Sequence, residues 1–357
     1  MKTYKHLYAQ ITDFANLDEA WRKARRGKRG KEAAARFEEN AEGEMLQLQR
    51  ELESHTYCPG PYRTFIVYDP KQRKISAAPF RDRVVHHALC NVIEPIYERK
   101  FIYDSYANRL GKGTHRALDR AQYFARRYRY VFKADVETFF PAVDHDILKA
   151  ILWRHIADDD ARWLMAQIID SGRGILADQY RQRWFAGDDL LAATRPRGLP
   201  IGNQTSQFWA NVYLNPLDHF VKRELKCPAY VRYVDDFLLF ADDKRTLHGW
   251  RRNIEAYLAT LRLTIHPDKS VVFPVVTGLP FLGFQVFPGY RRLLKGNVRA
   301  FLRRFSRQRR DLRRGDMQLG DIKASLAAWN AHADHGDTWR LRTKLFYQRP
   351  IPAAIGS

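Results

Sequence analysis

Residues 230–243 read YVRYVDDFLLFADD, and they set two adjacent aspartates, Asp235 and Asp236, inside a run otherwise suited to burial. Tyr230, Val231, Tyr233 and Val234 precede the pair, and Phe237, Leu238, Leu239 and Phe240 follow it. These are the aromatic, β-branched and aliphatic residues that strands favour, so the pattern predicts an antiparallel hairpin with the acids at its tip. Two-residue hairpin turns favour Asn-Gly or Asp-Gly, because a type I′ turn needs positive φ, and Asp-Asp meets that need poorly. Adjacent carboxylates also repel unless a cation stands between them. On these residues alone two readings stand: an acidic turn facing water, or a pair of cation ligands.

The charge balance narrows the partner. The 357 residues include 61 Lys and Arg against 40 Asp and Glu, a net charge of +21. That excess implies a polyanion, nucleic acid ahead of an acidic membrane surface. An apolar content of 45% predicts a globular chain of two or three subdomains. No apolar stretch reaches 18 residues, and MKTYKHLYAQITDF lacks a signal-peptide core, so a cytoplasmic protein without membrane contact is expected. Cys58, Cys90 and Cys227 are scattered, and neither a disulfide framework nor a zinc site is suggested. His86, His87, His115, His145 and His155 lack zinc-ligand spacing and read as structural.

Along the chain, residues 14–56 read as charged helix, interrupted by an exposed turn at RKARRGKRGK. A strand is expected at 64–68, a turn at Asp69-Pro70, and a helix after Pro79. VFKADVETFF at 131–140 reads as a strand ending at Pro141, followed by helices at 144–156 and 159–171. A Pro/Gly loop then opens a helix of about 20 residues. After the acidic hairpin come a helix at 246–261, a hairpin at FLGFQVF, and a basic helical end.

Asp135, at the end of VFKAD, is a further strand-end acid 100 residues before Asp235. Three carboxylates on strand ends suit Mg²⁺, which prefers oxygen ligands. The order of segments carries more than any one of them. RKISAAPFRDRVVHHAL, FKADVETFFPAVDHDIL, GLPIGNQTSQ, RYVDDFLLFADD, IHPDKS and FLGFQVF resemble, in sequence, the fingers block, motifs A to D and the primer grip of reverse transcriptases. The resemblance implies an α+β right-hand polymerase with fingers, a palm built on an antiparallel sheet, and a helical thumb. Its divisions fall at 1–60 (N-terminal helical extension), 61–130 (fingers with part of the palm), 131–284 (palm, with a fingers insertion near 150–195) and 285–357 (basic thumb). Gly187-Asp188-Asp189 copies the triplet of many viral polymerases but lacks a preceding strand, and it reads as a loop. Asp158 to Asp160 and Asp242-Asp243 read as solvated acids.

Within the superfamily, the run Ile201-Gly202-Asn203-Gln204-Thr205-Ser206-Gln207 departs from the usual Gln-Gly opening and Ser-Pro ending. It resembles the enzymes of diversity-generating retroelements, which copy a template-repeat RNA into cDNA with errors opposite adenine. SYANRLGKGTHRALDR and AAWNAHADHGDTWRLR are similar to this family as well. Alternatives are a defence-type, retron or group II intron-like enzyme, and a non-catalytic nucleic-acid-binding protein of polymerase-like fold. About 70 residues follow Phe284, short for intron maturase regions, and Val276-Thr277-Gly278 falls in the wrong place for a retron triplet.

The resemblance implies roles residue by residue. Asp135, Asp235 and Asp236, with the main-chain oxygen of Val136, would hold two Mg²⁺ ions, Mn²⁺ substituting. Lys269 would lie near the pyrophosphate, and Phe140 would be the steric gate against ribonucleotides. Arg73 and Arg81, with Lys71 a weaker candidate, would contact the triphosphate, where guanidinium binds bidentately. Gly202, Ser206 and Gln207 would form the floor under the incoming nucleotide, and Ile201 would loosen fidelity by removing a polar contact. Partners would be template RNA, the cDNA or primer strand, dNTPs, and a small, basic, oligomeric helical accessory protein. Residues 285–357 hold 16 Lys and Arg against 5 Asp and Glu, and Arg303, Arg307, Arg310 and Arg314 share a helical face suited to a nucleic-acid backbone.

Overall fold

Strands that are apolar on both faces must be covered on both sides, and the chain supplies that cover in order. The computed structural model describes residues 2–28, 30–68 and 72–348. Helices α1 (Tyr8–Thr12), α2 (Phe14–Arg25), α3 (Glu32–Glu39) and α4 (Ala41–Glu53) lead into a hairpin of β1 (Arg63–Val67) and β2 (Arg73–Ala77). Helices α5 (Phe80–Glu98) and α6 (Thr114–Ala125) precede β3 (Tyr130–Asp135). Then come α7 (Phe139–Ala142), α8 (His145–Trp153), α9 (Asp159–Asp170) and α10 (Gln204–His219). The acidic hairpin is β4 (Tyr230–Tyr233) and β5 (Asp236–Ala241), followed by α11 (Lys244–Thr260) and β6 (Val271–Pro274). A small sheet of β7 (Leu279–Phe281), β8 (Phe284–Val286) and β9 (Arg291–Leu293) precedes α12 (Lys295–Arg314), α13 (Leu319–Ala333) and α14 (Trp339–Gln348).

The central antiparallel sheet has the order β4-β5-β3-β6. Alternation along β5 sends Phe237, Leu239 and Ala241 into a core shared with α2, α5, α8, α9, α10 and α11. Leu238 and Phe240 point the other way, into a second core with α6, the small sheet and the C-terminal helices. That two-sided cover explains why the sequence shows an unbroken apolar run there rather than alternation. Among the described residues no helix is long and apolar enough to cross a membrane.

Several expected elements need correction. The strand expected to run to Pro141 stops at Asp135, Thr138 takes a left-handed φ of 43°, and Phe139–Ala142 form a helical turn that contains Pro141. Proline is tolerated in a first turn, where its missing N–H has no intrahelical partner to lose. The helix expected through 14–56 breaks at the basic turn, as anticipated, and again at Asn40. Asp158 is not a solvated acid. It is 9% exposed and accepts from the amides of Leu7, Tyr8 and Ala161, so it caps α9 and docks the N-terminal helix at once. Asp242 accepts from the Arg129 amide, and Asp243 caps α11. Asp188 lies in a loop, as expected, but its carboxylate is buried against Arg262. The Asp69-Pro70 turn lies outside the described residues.

His86 lies in α5 at 1% exposure, and neither ring nitrogen has a hydrogen-bond partner among the described residues. Burial, more than the neighbouring His87 and Arg83, holds its pKa down at about 3. The unfolded chain therefore takes up this proton first, near pH 6.5, and stability present above that pH is lost as the pH falls. One such histidine costs about 2 kcal/mol at pH 5 relative to pH 7. His86→Leu should remove that part of the slope, which thermal unfolding of parent and variant at pH 7 and pH 5 would measure. Parallel Tm shifts in both proteins would refute the assignment.

Candidate active site

The ladder between β3 and β5 brings the acids together. Its register pairs Tyr130 with Ala241 and ends with Asp135 opposite Asp236. One residue on, the Val136 amide donates to the Asp235 carbonyl at 3.4 Å. The hairpin tip is shifted from the sequence expectation: the two turn residues are Val234 and Asp235, and Asp236 opens β5. Val234 takes φ 55° while Asp235 does not turn positive, the sign pattern of a type II′ turn. Glycine is the usual residue there, and a β-branched side chain makes it an outlier.

The turn at 264–270 is stitched to the end of β3. The Glu137 amide donates to the Thr264 carbonyl at 2.8 Å, and the His266 amide to the Asp135 carbonyl at 2.7 Å. Lys269, on the same turn, sets Nζ 2.8 Å from Asp135 Oδ2 with its side chain half exposed. Asp235 is pushed up to about 7, by burial first and then by the charges of Asp236 and Asp135, with Arg73 acting in the opposite sense. The three acids and Lys269 thus form one electrostatic unit, and Arg73 belongs to its field. A cavity of about 320 Å³ opens beside it, lined by Glu137, Thr138, Arg181, Arg183, His266 and Lys269.

The donor set fits a hard divalent cation. Carboxylate oxygens are the ligands such ions take, and crowding that raises the proton affinity of Asp235 is relieved by any closely held positive charge. Among the described residues no group of three or more His, Cys, Asp or Glu side chains already converges for a metal, and the Lys269 ammonium occupies Asp135. An ion held by Asp135 Oδ2 would compete with Lys269 for that oxygen.

The other expected residues divide. Phe140 follows Asp135 on α7, half-buried against the core. Ile201 is half-buried, and its carbonyl accepts from the Ser76 amide of β2 at 2.8 Å. Gly202 has φ 117°, and a Cβ there would lie 2.8 Å from Ile75 Cγ2, so the approach of β2 requires glycine. Ser206 is buried in α10 and Gln207 is exposed on it. Arg81 is not directed at the acids: it pairs with Glu51 of α4 and lies over the Tyr57 ring. Lys71 lies outside the described residues. Arg303, Arg307, Arg310 and Arg314 all sit exposed on α12, opposite buried Phe301 and Phe305.

Sequence reasoning missed the residues that hold these parts. Asn203 is buried, accepting from the Ala78 amide at 3.0 Å and donating to the carbonyls of Ser76 and Pro200. Asp82 accepts from Tyr57 Oη and the Gly60 amide. Arg232 and Asp218 form a fully buried ion pair behind the acidic turn. Only the last carried a signal, an arginine inside a strand that is otherwise apolar.

A family model described as reverse transcriptase (RNA-dependent DNA polymerase) matches residues 68–286. Protein YkfC of Escherichia coli (strain K12) is 27% identical over 285 residues, covering 68% of this chain and 71% of that protein. The group II intron-encoded protein LtrA of Lactococcus lactis subsp. cremoris is 25% identical over 184 residues, which is 51% of this chain but only 28% of LtrA. Among solved structures, the telomerase from Candida albicans with the TWJ fragment of telomeric RNA aligns with 68% of this chain and 48% of its own, at TM-score 0.43 and 13% identity. Reverse transcriptase domains generally use divalent metal ions. The family match runs from the end of β1 through both acid-bearing strands and the lysine turn to β8, more than half of the chain. The chain belongs to the reverse transcriptase family and is an RNA-directed DNA polymerase.

Proposed function

We propose that this polymerase serves a diversity-generating retroelement, copying a template-repeat RNA into cDNA with errors concentrated opposite adenine. The observation that carries the reading is Ile201, an apolar side chain half-buried at the seam between β2 and α10, on a backbone held by Ser76. A β-branched hydrocarbon there offers the nascent base pair no hydrogen bond with which to police its geometry. The second reading is a group II intron-type enzyme, favoured by the similarity to LtrA.

In either reading the right-hand scheme assigns 1–60 to an N-terminal extension, 61–130 to the fingers, 131–284 to the palm and 285–357 to the thumb. Asp135, Asp235 and Asp236, with the Val136 main-chain oxygen, would hold two Mg²⁺ ions, Mn²⁺ substituting. When bound, such ions activate the primer 3′-hydroxyl and neutralise the leaving pyrophosphate. Lys269, displaced from Asp135, carries its charge toward the cavity lined by Arg181 and Arg183, the place for the triphosphate tail. Arg73 contributes from β2, whereas Arg81 must first leave Glu51. Phe140 puts an aromatic face under the sugar, and Gly202 and Gln207 border the base. The arginine stripe of α12 tracks the phosphates of an RNA–cDNA duplex, with strong salt dependence. A small basic accessory protein would meet this enzyme through shared RNA, in the cytoplasm.

Primer extension on an RNA template should require Mg²⁺ and fall on the order of 10³-fold in Asp235→Ala, the scale of several kcal/mol of lost charge stabilisation. In metal-free buffer Asp235→Asn should raise Tm, because one of three crowded charges is gone. A lower Tm together with parental activity would remove Asp235 from the site. Phe140→Ala should admit ribonucleotides while sparing DNA synthesis, and unchanged dNTP-over-rNTP selection would reduce Phe140 to a packing residue. Ile201→Gln should lower adenine errors about tenfold, equivalent to about 1.4 kcal/mol of discrimination, without abolishing synthesis. Deep sequencing of cDNA from a defined RNA decides it. Errors spread evenly over the four template bases in the parent would leave the intron-type reading.

A further inference from the structure

Arg232 lies in β4, two residues before the turn that carries Asp235, and its side chain is 0% exposed. All three guanidinium nitrogens donate. Nε and Nη2 donate to the Asp218 carboxylate of α10 at 2.7 and 2.6 Å. Nη1 donates to Asn211 Oδ1 at 3.1 Å and to the Val234 carbonyl at 3.0 Å. Asp218 accepts in addition from Tyr230 Oη at 2.8 Å, and the Arg232 backbone is bound on both sides, to the Asp104 carbonyl and the Tyr106 amide.

Stability alone does not explain a buried ion pair here, since hydrophobic side chains of similar volume commonly serve a fold as well or better. The contact to Val234 does. Val234 is a β-branched residue at φ 55°, a conformation that persists only where its surroundings over-determine it. Its carbonyl comes from the same strained peptide that presents Asp235, and Arg232 gives it a charged donor. The anchors of Arg232, Asp218 and Asn211, both lie on α10, whose first turn follows Ile201 and Gly202.

We propose that Arg232 is a positioning residue for polymerisation: its Nη1 fixes the Val234 turn, so that Asp235 and Asp236 stay in register with Asp135, and ties that turn to the helix bordering the nucleotide. The inference rests on the polymerase reading of the acids but adds a residue that touches neither metal nor substrate. Arg232 acts through the main chain of Val234, not through side-chain chemistry at the site.

Two variants test it. Arg232→Lys keeps a charge for Asp218 but, as a point donor, cannot also reach Val234. Arg232→Met combined with Asp218→Leu removes the pair without stranding either charge. Circular dichroism and Tm establish folding, and primer extension gives kcat and the dNTP KM. Electron paramagnetic resonance gives the Mn²⁺ affinity of the full chain without turnover. Both variants should fold, lose about 10²-fold in kcat with little change in KM, and bind Mn²⁺ about tenfold more weakly. A folded variant with parental kcat and Mn²⁺ affinity overturns the proposal, and so does failure of both to fold, which would make Arg232 purely structural. If the parent binds Mn²⁺ but extends no primer, the polymerase reading fails, while the Mn²⁺ comparison still judges Arg232.

Discussion

The site depends on one ladder. Asp135 and Asp236 face each other because β3 and β5 pair in a register that their apolar side chains enforce. Phe132 and Phe237 lie in one core, and Val131 and Leu238 in the other. A slip by one residue would exchange the two sets and put each in the wrong layer. Burial, and then the charges of Asp236 and Asp135, work against an ionised Asp235 and push its pKa up. Hydrophobic register thus supplies the force that holds like charges together, and the gathered carboxylate oxygens are donors of the kind hard cations take.

Around that ladder, segments distant in sequence are joined mainly by hydrogen bonds to the main chain. Ser76 meets Ile201, Asn203 bridges to Ser76 and Ala78, and the turn at 264–270 closes on Asp135 and Glu137. Backbone seams tolerate little side-chain bulk, which is why Gly202 faces Ile75 with no room for a Cβ. They also leave the side chains at the seam free to vary in chemistry while the main chain stays in place. Arg232 differs in kind, since a long, charged side chain does the joining, from inside the core.

Much of this was legible in the sequence because it is written in local patterns. The apolar flanks of Asp235 and Asp236, Pro79 ahead of α5, and the arginines on one face of α12 each depend on a few neighbouring residues. The errors came where an acid found a distant partner. Asp158 looks like a surface acid until Leu7 is brought to it across the fold. Nothing local announces that Arg81 pairs with Glu51 of α4. Local turn rules set the hairpin tip one residue too late, since they do not allow for a valine at positive φ.

Ile201 lies at one of these seams. Its carbonyl is committed to Ser76, and the residues after it to the glycine contact and the Asn203 bridges, so the backbone path is set without its side chain. A glutamine at that position could keep the same main-chain bonds and differ only in its side chain. Side-chain chemistry and fold are therefore separable at Ile201, whereas at Gly202 they are not. The fidelity role proposed for Ile201 needs such a position, where the side chain can change while the backbone and the Asp135–Asp236 ladder stay in place.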